Sequence, residues 1–332
     1  MACPERWTNC ERILVANFFD SEIPNIEMNT NALNRRHFLA GASAALGSSI
    51  LPASAVEKKA KAYEYCTFIK FIQDLSYEQL AEQLKKMGFD GGEVTVRKGG
   101  YIAPESAAEE LPQLAEVFKK HDLKINILTT DIEGPDSPNV ESILSTASKL
   151  GIQRYRMGFC RYDLTAPIKP QIEELKPKFK ELAAMNRESG VTAVYQNHAG
   201  AKYMGATFWD LEQILRDIPV NEIGCIFDIR HAVADGGTAW PIYYDIIKPH
   251  ISALSIKDFK WDFKKEKDKR YSPLHAPLGT GQVDLKGFLK VFKKDFESAL
   301  VTLHIEYLKG ESVETNLAAI DRDFQVLLKA MD

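Results

Sequence analysis

The feature that most restricts what this chain can fold into is an alternation. Short apolar runs rich in β-branched residues take turns with longer segments of helical, 3.6-residue periodicity. The runs at 65–71, 91–96, 123–129, 154–158, 192–197, 223–228, 251–258 and 299–307 read as strands. The segments at 77–87, 107–121, 140–150, 172–189, 208–216, 240–247, 285–295 and 313–328 read as helices. Eight strand–helix units fit a closed parallel barrel with helices outside, the α/β (β/α)8 or TIM barrel, as a single domain over residues 56–332. An open doubly wound sheet is the competing arrangement, but no glycine-rich phosphate loop follows the first strand. The longest irregular stretch, 259–283, contains the charge run 264–270. It reads as a solvated loop long enough to cover the barrel mouth.

Residues 1–55 stand apart from this pattern. Asn34-Arg35-Arg36-His37-Phe38-Leu39 opens a small-residue apolar run that continues to Leu51, and Ala53-Ser54-Ala55 matches a small-x-small cleavage site. The paired arginines resemble a twin-arginine export signal. The apolar run is too short, and too rich in Ala, Gly and Ser, for a transmembrane helix. Membrane contact is therefore expected only during export, with the mature chain starting near Val56 and working in the periplasm. Residues 1–27 are polar and aperiodic, and a start at Met28 would give a signal of ordinary length.

Cys66, Cys160 and Cys225 remain in the mature chain, an odd number in apolar surroundings with no CxxC pair. Buried thiols are expected, not disulfides or thiolate metal ligands. The net charge of −4 is spread without a basic block, so nucleic acid is not an expected partner.

In such a barrel the chemistry gathers where strands end. Those positions supply Glu93, then Arg97 and Lys98, after the second strand, and Asp131 after the third. The fifth supplies Gln196, Asn197 and His198, and the sixth Asp228, Arg230 and His231. The seventh supplies Lys257 and Asp258, the eighth His304, Glu306 and Tyr307. The run 223–231 is the sharpest case. An apolar strand ends abruptly in a carboxylate, a guanidinium and an imidazole, groups that are costly to desolvate without partners or a ligand. So many polar groups at one end of a barrel point to a small-molecule site.

With these residues in view, the sequence resembles the xylose-isomerase-like barrel superfamily of sugar isomerases, sugar epimerases and endonuclease-IV-type enzymes. The resemblance rests on Gly88-Phe89-Asp90-Gly91-Gly92-Glu93, Gln196-Asn197-His198, Phe227-Asp228-Ile229-Arg230-His231-Ala232, Ile256-Lys257-Asp258, Pro277-Leu278-Gly279-Thr280-Gly281-Gln282-Val283-Asp284 and Ile305-Glu306-Tyr307. It implies a divalent cation (Mn, Mg, Zn or Co) held by Glu, Asp, His and Glu from the fifth to eighth strands. This chain offers Gln196, Asp228, Ser255 and Glu306 at those places. Asp228 and Glu306 match the pattern, whereas Gln196 and Ser255 replace the expected Glu and His. Oxygen donors still suit a hard cation, though with less negative charge. Lys257, if turned inward, would set an ammonium beside Asp228 and Glu306 in the cation's place.

The resemblance also implies an activity: an exported isomerase or epimerase that removes a proton next to the carbonyl of a non-phosphorylated carbohydrate, through an enediolate. Glu93, Lys257 and Glu306 would then be catalytic. Asn197, His198, Arg230, His231 and Trp261 would bind substrate, with Phe259 and Trp240 extending a stacking wall and His275 as a further contact. Plainer roles exist for each: a cap or ion pair for Glu93, an ion pair with Asp258 for Lys257, structural places for the histidines. Two other functions compete. One is a lyase or hydrolase on a keto-glycoside, which begins with the same proton removal. The other is a non-catalytic sugar-binding barrel with a degraded metal site. A nuclease would need more His and carboxylate ligands and a basic surface. The expected partner is a small-molecule sugar, and an oligomer is compatible with the sequence.

Overall fold

The computed structural model describes residues 63–263 and 271–332. The segment read as an export signal, the stretch before Met28 and the charge run 264–270 lie outside the described residues. Eight strands close a parallel barrel: β1 (Tyr63–Phe68), β2 (Gly91–Val96), β3 (Lys124–Thr130), β4 (Arg154–Arg156), β5 (Thr192–Gln196), β6 (Ile223–Asp228), β7 (Ile251–Ile256) and, after a hairpin of β8 (Asp258–Phe263) and β9 (Tyr271–Ala276), β10 (Ala299–Leu303). β10 pairs with both β1 and β7, which completes the ring. Around it run α1 (Tyr77–Met87), α2 (Ala107–Lys120), α3 (Val140–Lys149), α4 (Ile168–Ser189), α5 (Trp209–Leu215), α6 (Ile229–Gly236), α7 (Trp240–Ile247), α8 (Leu285–Asp295) and α9 (Val313–Met331).

Side chains alternate along each strand, so parity decides what enters the barrel. Cys66, Ile127, Val194, Ile226, Ala253 and Leu300 form an apolar cluster of their own inside it. The odd partners, such as Phe227, pack outward; Phe227 meets the rings of Phe208, Tyr244 and Phe288. Two residues beyond each inner apolar position the same face carries Phe68, Thr129, Gln196, Asp228, Ser255 and Thr302. All are buried. Apart from Phe68, the barrel interior thus changes from apolar to polar at one level, and the site lies above it.

Local signals set the element ends. Ser76 and Gln79 form a capping box at the start of α1, which closes on Gly88 at φ 91°. α6, unforeseen in the sequence, is capped by Asp228, whose Oδ1 accepts from the His231 N–H at 3.1 Å. The strand expected at 65–71 stops at Phe68 and turns through a 3-10 segment, Ile69–Phe71. The expected irregular stretch 259–283 instead holds the β8–β9 hairpin, whose alternation was masked by the charge run between its strands.

Asp258 anchors the loop that follows this hairpin. Its Oδ1 accepts from the N–H groups of Phe259 (2.8 Å) and Val283 (3.1 Å), its Oδ2 from those of Gly279 (3.1 Å) and Gly281 (2.9 Å). A Cβ at Gly281 would meet Asp258 Oδ1 at 2.2 Å and the Phe259 carbonyl oxygen at 2.3 Å. Gly281→Ala is therefore expected to lower stability by about 1–3 kcal/mol in urea titration. A variant as stable as wild type would show that the loop yields without loss of these bonds.

Candidate functional site

A continuous chain of charged and polar groups crosses the barrel at the strand ends. It begins at Glu93 on β2, which is fully buried. Thr129 donates to its Oε1 at 2.6 Å and Thr302 to its Oε2 at 2.7 Å. His304 Nε2 lies 2.8 Å from Oε2, and Arg156 Nε lies 3.7 Å from Oε1. Burial alone would raise the Glu93 pKa, but the neighbouring His304 and Arg156 and the Thr129 hydroxyl outweigh it and hold the carboxyl well below its ordinary range. Glu93 is thus a buried anion that orients His304, whose other nitrogen, Nδ1, is 3.6 Å from Glu306 Oε1.

The second half of the chain runs from Arg156 to Glu306. Arg156 Nη1 donates to Gln196 Oε1. Gln196 Nε2 donates to Asp228 Oδ2 at 2.7 Å and to Ser255 Oγ at 3.3 Å. Lys257 Nζ then bridges two carboxylates, 3.1 Å from Asp228 Oδ2 and 2.9 Å from Glu306 Oε1. Asn197 fixes Asp228 through its backbone: Nδ2 donates to the Asp228 carbonyl at 3.1 Å, and Oδ1 accepts from its N–H at 2.7 Å. Glu306 keeps access to solvent at the mouth, 21% exposed, with Lys257 sealed beneath it at 5%. Burial would raise the Glu306 pKa. The Lys257 ammonium, with His304 and His275, overrides this and holds it well below the ordinary value.

Three histidines line the same region. His231 Nδ1 faces two donors, Arg230 Nη1 at 2.8 Å and the Ala199 N–H at 3.1 Å. That makes Nδ1 the acceptor and leaves the proton on Nε2. Nε2 is buried, has no hydrogen-bond partner and lies 3.8 Å from Asp228 Oδ2. His198 packs against it, ring centroids 4.1 Å apart. His275, from β9, sits 3.8 Å from Glu306 Oε2. Burial pushes the His198 and His275 imidazoles down to about 4, and the Lys257 charge pushes the same way. His231 is also driven well below its ordinary value, by burial first and then by Lys257.

The plainer role open to Lys257, an ion pair with Asp258, is not found, because the two residues point to opposite sides: Lys257 enters the barrel and Asp258 turns to its loop. Arg230 joins α6 to the hairpin, donating from Nη2 to the Pro273 carbonyl at 2.6 Å with its guanidinium over Phe259 at 5.3 Å. Trp261 is 44% exposed on the hairpin, with its ring edge-on to Phe259. It is not brought against the charge chain. Trp240 packs on Phe288 and Phe259 is fully buried, so the expected three-ring wall does not form. Arg156, Thr129 and Thr302 were missed. Arg156 could have been found by parity, since β4 lies beside β5 with Arg156 opposite Val194, one step below Gln196. Cys66, Cys160 and Cys225 are free and buried, as expected.

The donor set does not fit a divalent cation as arranged. The Lys257 ammonium already lies between Asp228 and Glu306, and the Gln196 amide oxygen is turned to Arg156. Among the described residues no group of three or more His, Cys, Asp or Glu side chains is placed to hold a metal ion. A cleft of about 630 Å³ opens at the other end of the barrel, where Lys124 pairs with Glu64 at 2.6 Å and Arg154 Nε donates to Ser252.

The family described as xylose isomerase-like TIM barrel matches residues 81–329, and the chain belongs to it. Solved structures share the fold at low identity. The 3-keto-D-glucoside 4-epimerase YcjR of E. coli is 12% identical, with 80% of this chain and 99% of that one covered at a TM-score of 0.60. The D-psicose 3-epimerase of Clostridium cellulolyticum H10, solved with D-tagatose, is 13% identical over 81% and 98% at 0.59. A xylose isomerase-like barrel from Mycobacterium smegmatis, solved in complex with magnesium, is 17% identical over 79% and 92% at 0.54. No curated protein sequence matches.

Proposed function

We propose that this protein is a carbohydrate isomerase or epimerase that removes a proton beside a carbonyl, and that the Lys257 ammonium takes the place a divalent cation holds in metal-dependent members of its fold. The observation that carries this reading is the Lys257 bridge between Asp228 and Glu306 at the mouth. Isomerisation through an enediolate needs a base and a cationic or hydrogen-bonding group for the developing oxyanion. Glu306 is ionised and partly open to solvent, so it is the base. Its low pKa in the resting site comes largely from Lys257. When the ammonium turns to the substrate oxygen, Glu306 loses that stabilisation and becomes a stronger base. The C–H proton then passes to Glu306, the C–H electron pair forms the enediolate double bond and the carbonyl π pair moves to oxygen. After exchange with solvent, Glu306 gives a proton to the adjacent carbon while the hydroxyl proton passes to the former carbonyl oxygen, which yields the isomer. Protonation of the original carbon from solvent on its opposite face yields the epimer. His231 Nε2–H, unpartnered and buried beside Asp228, is the donor suited to a second sugar oxygen. Asn197 and Gln196 position Asp228, and Glu93 positions His304.

The test is proton exchange. The protein, treated with EDTA and desalted, is incubated in D2O with free keto- and aldo-hexoses and with 3-keto-glucosides. Deuterium incorporation next to the carbonyl is expected at a rate within about twofold of the untreated protein, a difference too small to reflect loss of an electrophile. Activity that disappears with EDTA and returns with Mn²⁺ would sink the ammonium mechanism. Elimination of the aglycone from a keto-glucoside, without return of the proton, would assign the same base to a lyase.

A further inference from the structure

One part of the mouth carries positive charge that the proposed reaction does not use. Arg97 follows β2, Arg156 ends β4, and Lys70 lies in the 3-10 turn after β1. Two guanidiniums gather at one ring: the Arg97 and Arg156 Cζ atoms lie 5.7 and 5.0 Å from the Phe68 centroid. Lys70 lies within electrostatic reach of both, and of Lys309 beyond β10.

The nearby carboxylates are occupied. Glu93 is engaged by Thr129, Thr302 and His304, and Glu306 by Lys257. Asp131, the anion that faces Arg97, accepts the Lys98 backbone N–H at 3.1 Å through Oδ2. Among the described residues Arg97 and Lys70 have no ion-pair partner, and their contacts are with the rings of Phe68 and Phe71. Arg156 is 5% exposed, and its Nε makes no hydrogen bond. Glu93 Oε1 lies 3.7 Å from Arg156 Nε, but half-buried Arg97 and exposed Lys70 form no ion pair of their own; like charges held together in this way repel one another, and the arrangement is relieved when an anion binds. Burial and then the Arg156 charge depress the Arg97 pKa, against the opposite pull of Asp131, Glu93 and Glu306. A planar guanidinium presents paired N–H donors that match an oxyanion in a way a single ammonium does not.

We infer that Arg97, backed by Arg156 and Lys70, seats an anionic substituent of the substrate. The carbohydrate turned over at Glu306 therefore carries a carboxylate, or a sulfate or phosphate ester, on the side facing β1 and β2. This rests on the carbohydrate reading above and names the substrate class it lacks. The reacting carbon would lie over Lys257 and Glu306, and the anion would fix which end of the sugar faces them.

The test compares binding of glucose, glucuronate, glucose 6-sulfate and glucose 6-phosphate to the full chain by calorimetry, for wild type, Arg97→Gln and Arg97→Lys. Thermal unfolding in sodium sulfate against sodium chloride at equal ionic strength is measured in parallel. The general effect of sulfate on folded proteins cancels between wild type and variant. At least tenfold tighter binding of one charged sugar than of glucose is expected, lost in Arg97→Gln and partly kept in Arg97→Lys. The sugar that gains identifies the anion. If sulfate protects wild type more than Arg97→Gln while no sugar binds, the anion seat stands and the carbohydrate reading beneath it falls. Equal binding of charged and neutral sugars, together with equal sulfate effects on wild type and Arg97→Gln, overturns the inference.

Discussion

Lys257→Met is expected to lower proton exchange by about 10²–10³-fold, the range seen when one oxyanion-stabilising donor is removed from an active site. It is also expected to destabilise the protein by about 3–5 kcal/mol, because a buried ion pair broken on one side leaves its partner charge uncompensated. Here the orphaned groups are Asp228, fully buried, and Glu306, both within 3.1 Å of the lost ammonium. Asp228 retains the Gln196 amide and the His231 N–H, so it stays hydrogen-bonded but loses its counter-charge. Two carboxylates without the ammonium between them are closer to a cation site than the wild-type arrangement. Mn²⁺ titration is therefore expected to show uptake by Lys257→Met that wild type lacks. Glu306→Gln separates the roles. It removes the base and should stop exchange to the same extent, but it leaves Lys257 paired with Asp228, so its stability loss should be smaller and no metal uptake should appear. Full activity in Lys257→Met would remove the central element of the proposal. Metal bound equally by wild type and variant would show that the ammonium does not hold the cation's place.

Much of this arrangement follows from counting along strands. The run Ile226-Phe227-Asp228 already contains the change from barrel filling to site: Ile226 joins the inner apolar cluster, and Asp228, two residues on, stands on the same face. The same step takes Val194 to Gln196, Ala253 to Ser255 and Leu300 to Thr302. It also places Lys257 and His304 inward, and it is why Lys257 cannot pair with Asp258. The contacts between strands are another matter. Glu93 and His304 are 211 positions apart in the chain, and only closure of the ring through the β1–β10 and β1–β2 pairings brings them together. Arg156 escaped notice because β4 is three residues long, too short for alternation to declare itself. The β8–β9 hairpin escaped because the aromatic positions of its first strand, Phe259, Trp261 and Phe263, run directly into lysines that read as solvated loop. Glu93 shows what residue type alone leaves open, since a base and an ion pair both fit a carboxylate there. A carboxylate at a strand end was a reasonable base, yet the neighbouring hydroxyls and imidazole use its acceptor positions and bury it behind the mouth.

Acid should unfold this protein in two stages, the first set by histidines and the second by carboxylates. In the folded chain burial and the Lys257 charge keep His198 and His275 neutral down to about 4, against an ordinary value of 6.5. His231 is depressed further, and in the same direction. Between those two values the unfolded chain binds protons that the folded chain refuses, so the free energy of unfolding must fall as the pH falls through this window. A fully expressed shift of this size is worth about 3 kcal/mol per group. His198 and His275 are partly exposed and share the Lys257 field, so about 2 kcal/mol each is expected after screening. Below the ordinary carboxylate pKa the sign argument changes residue but not direction. Glu93 and Glu306 have depressed folded values, so their contribution is present above the unfolded pKa and is lost as the pH drops towards the folded one. Urea unfolding at pH 7.5, 6, 5 and 4 should show stability falling by at least about 4 kcal/mol over this range, the part owed to His198 and His275. In the double variant His198→Gln/His275→Gln that slope above pH 5 should fall to the part that His231 keeps, while the carboxylate-driven loss nearer pH 4 remains. A wild-type profile flat from pH 7.5 to 5 would mean that these imidazoles take up protons in the folded state. Burial, the larger cause of their depressed values, would then be less complete than the structure has it, and the mouth would need redrawing with water around these rings.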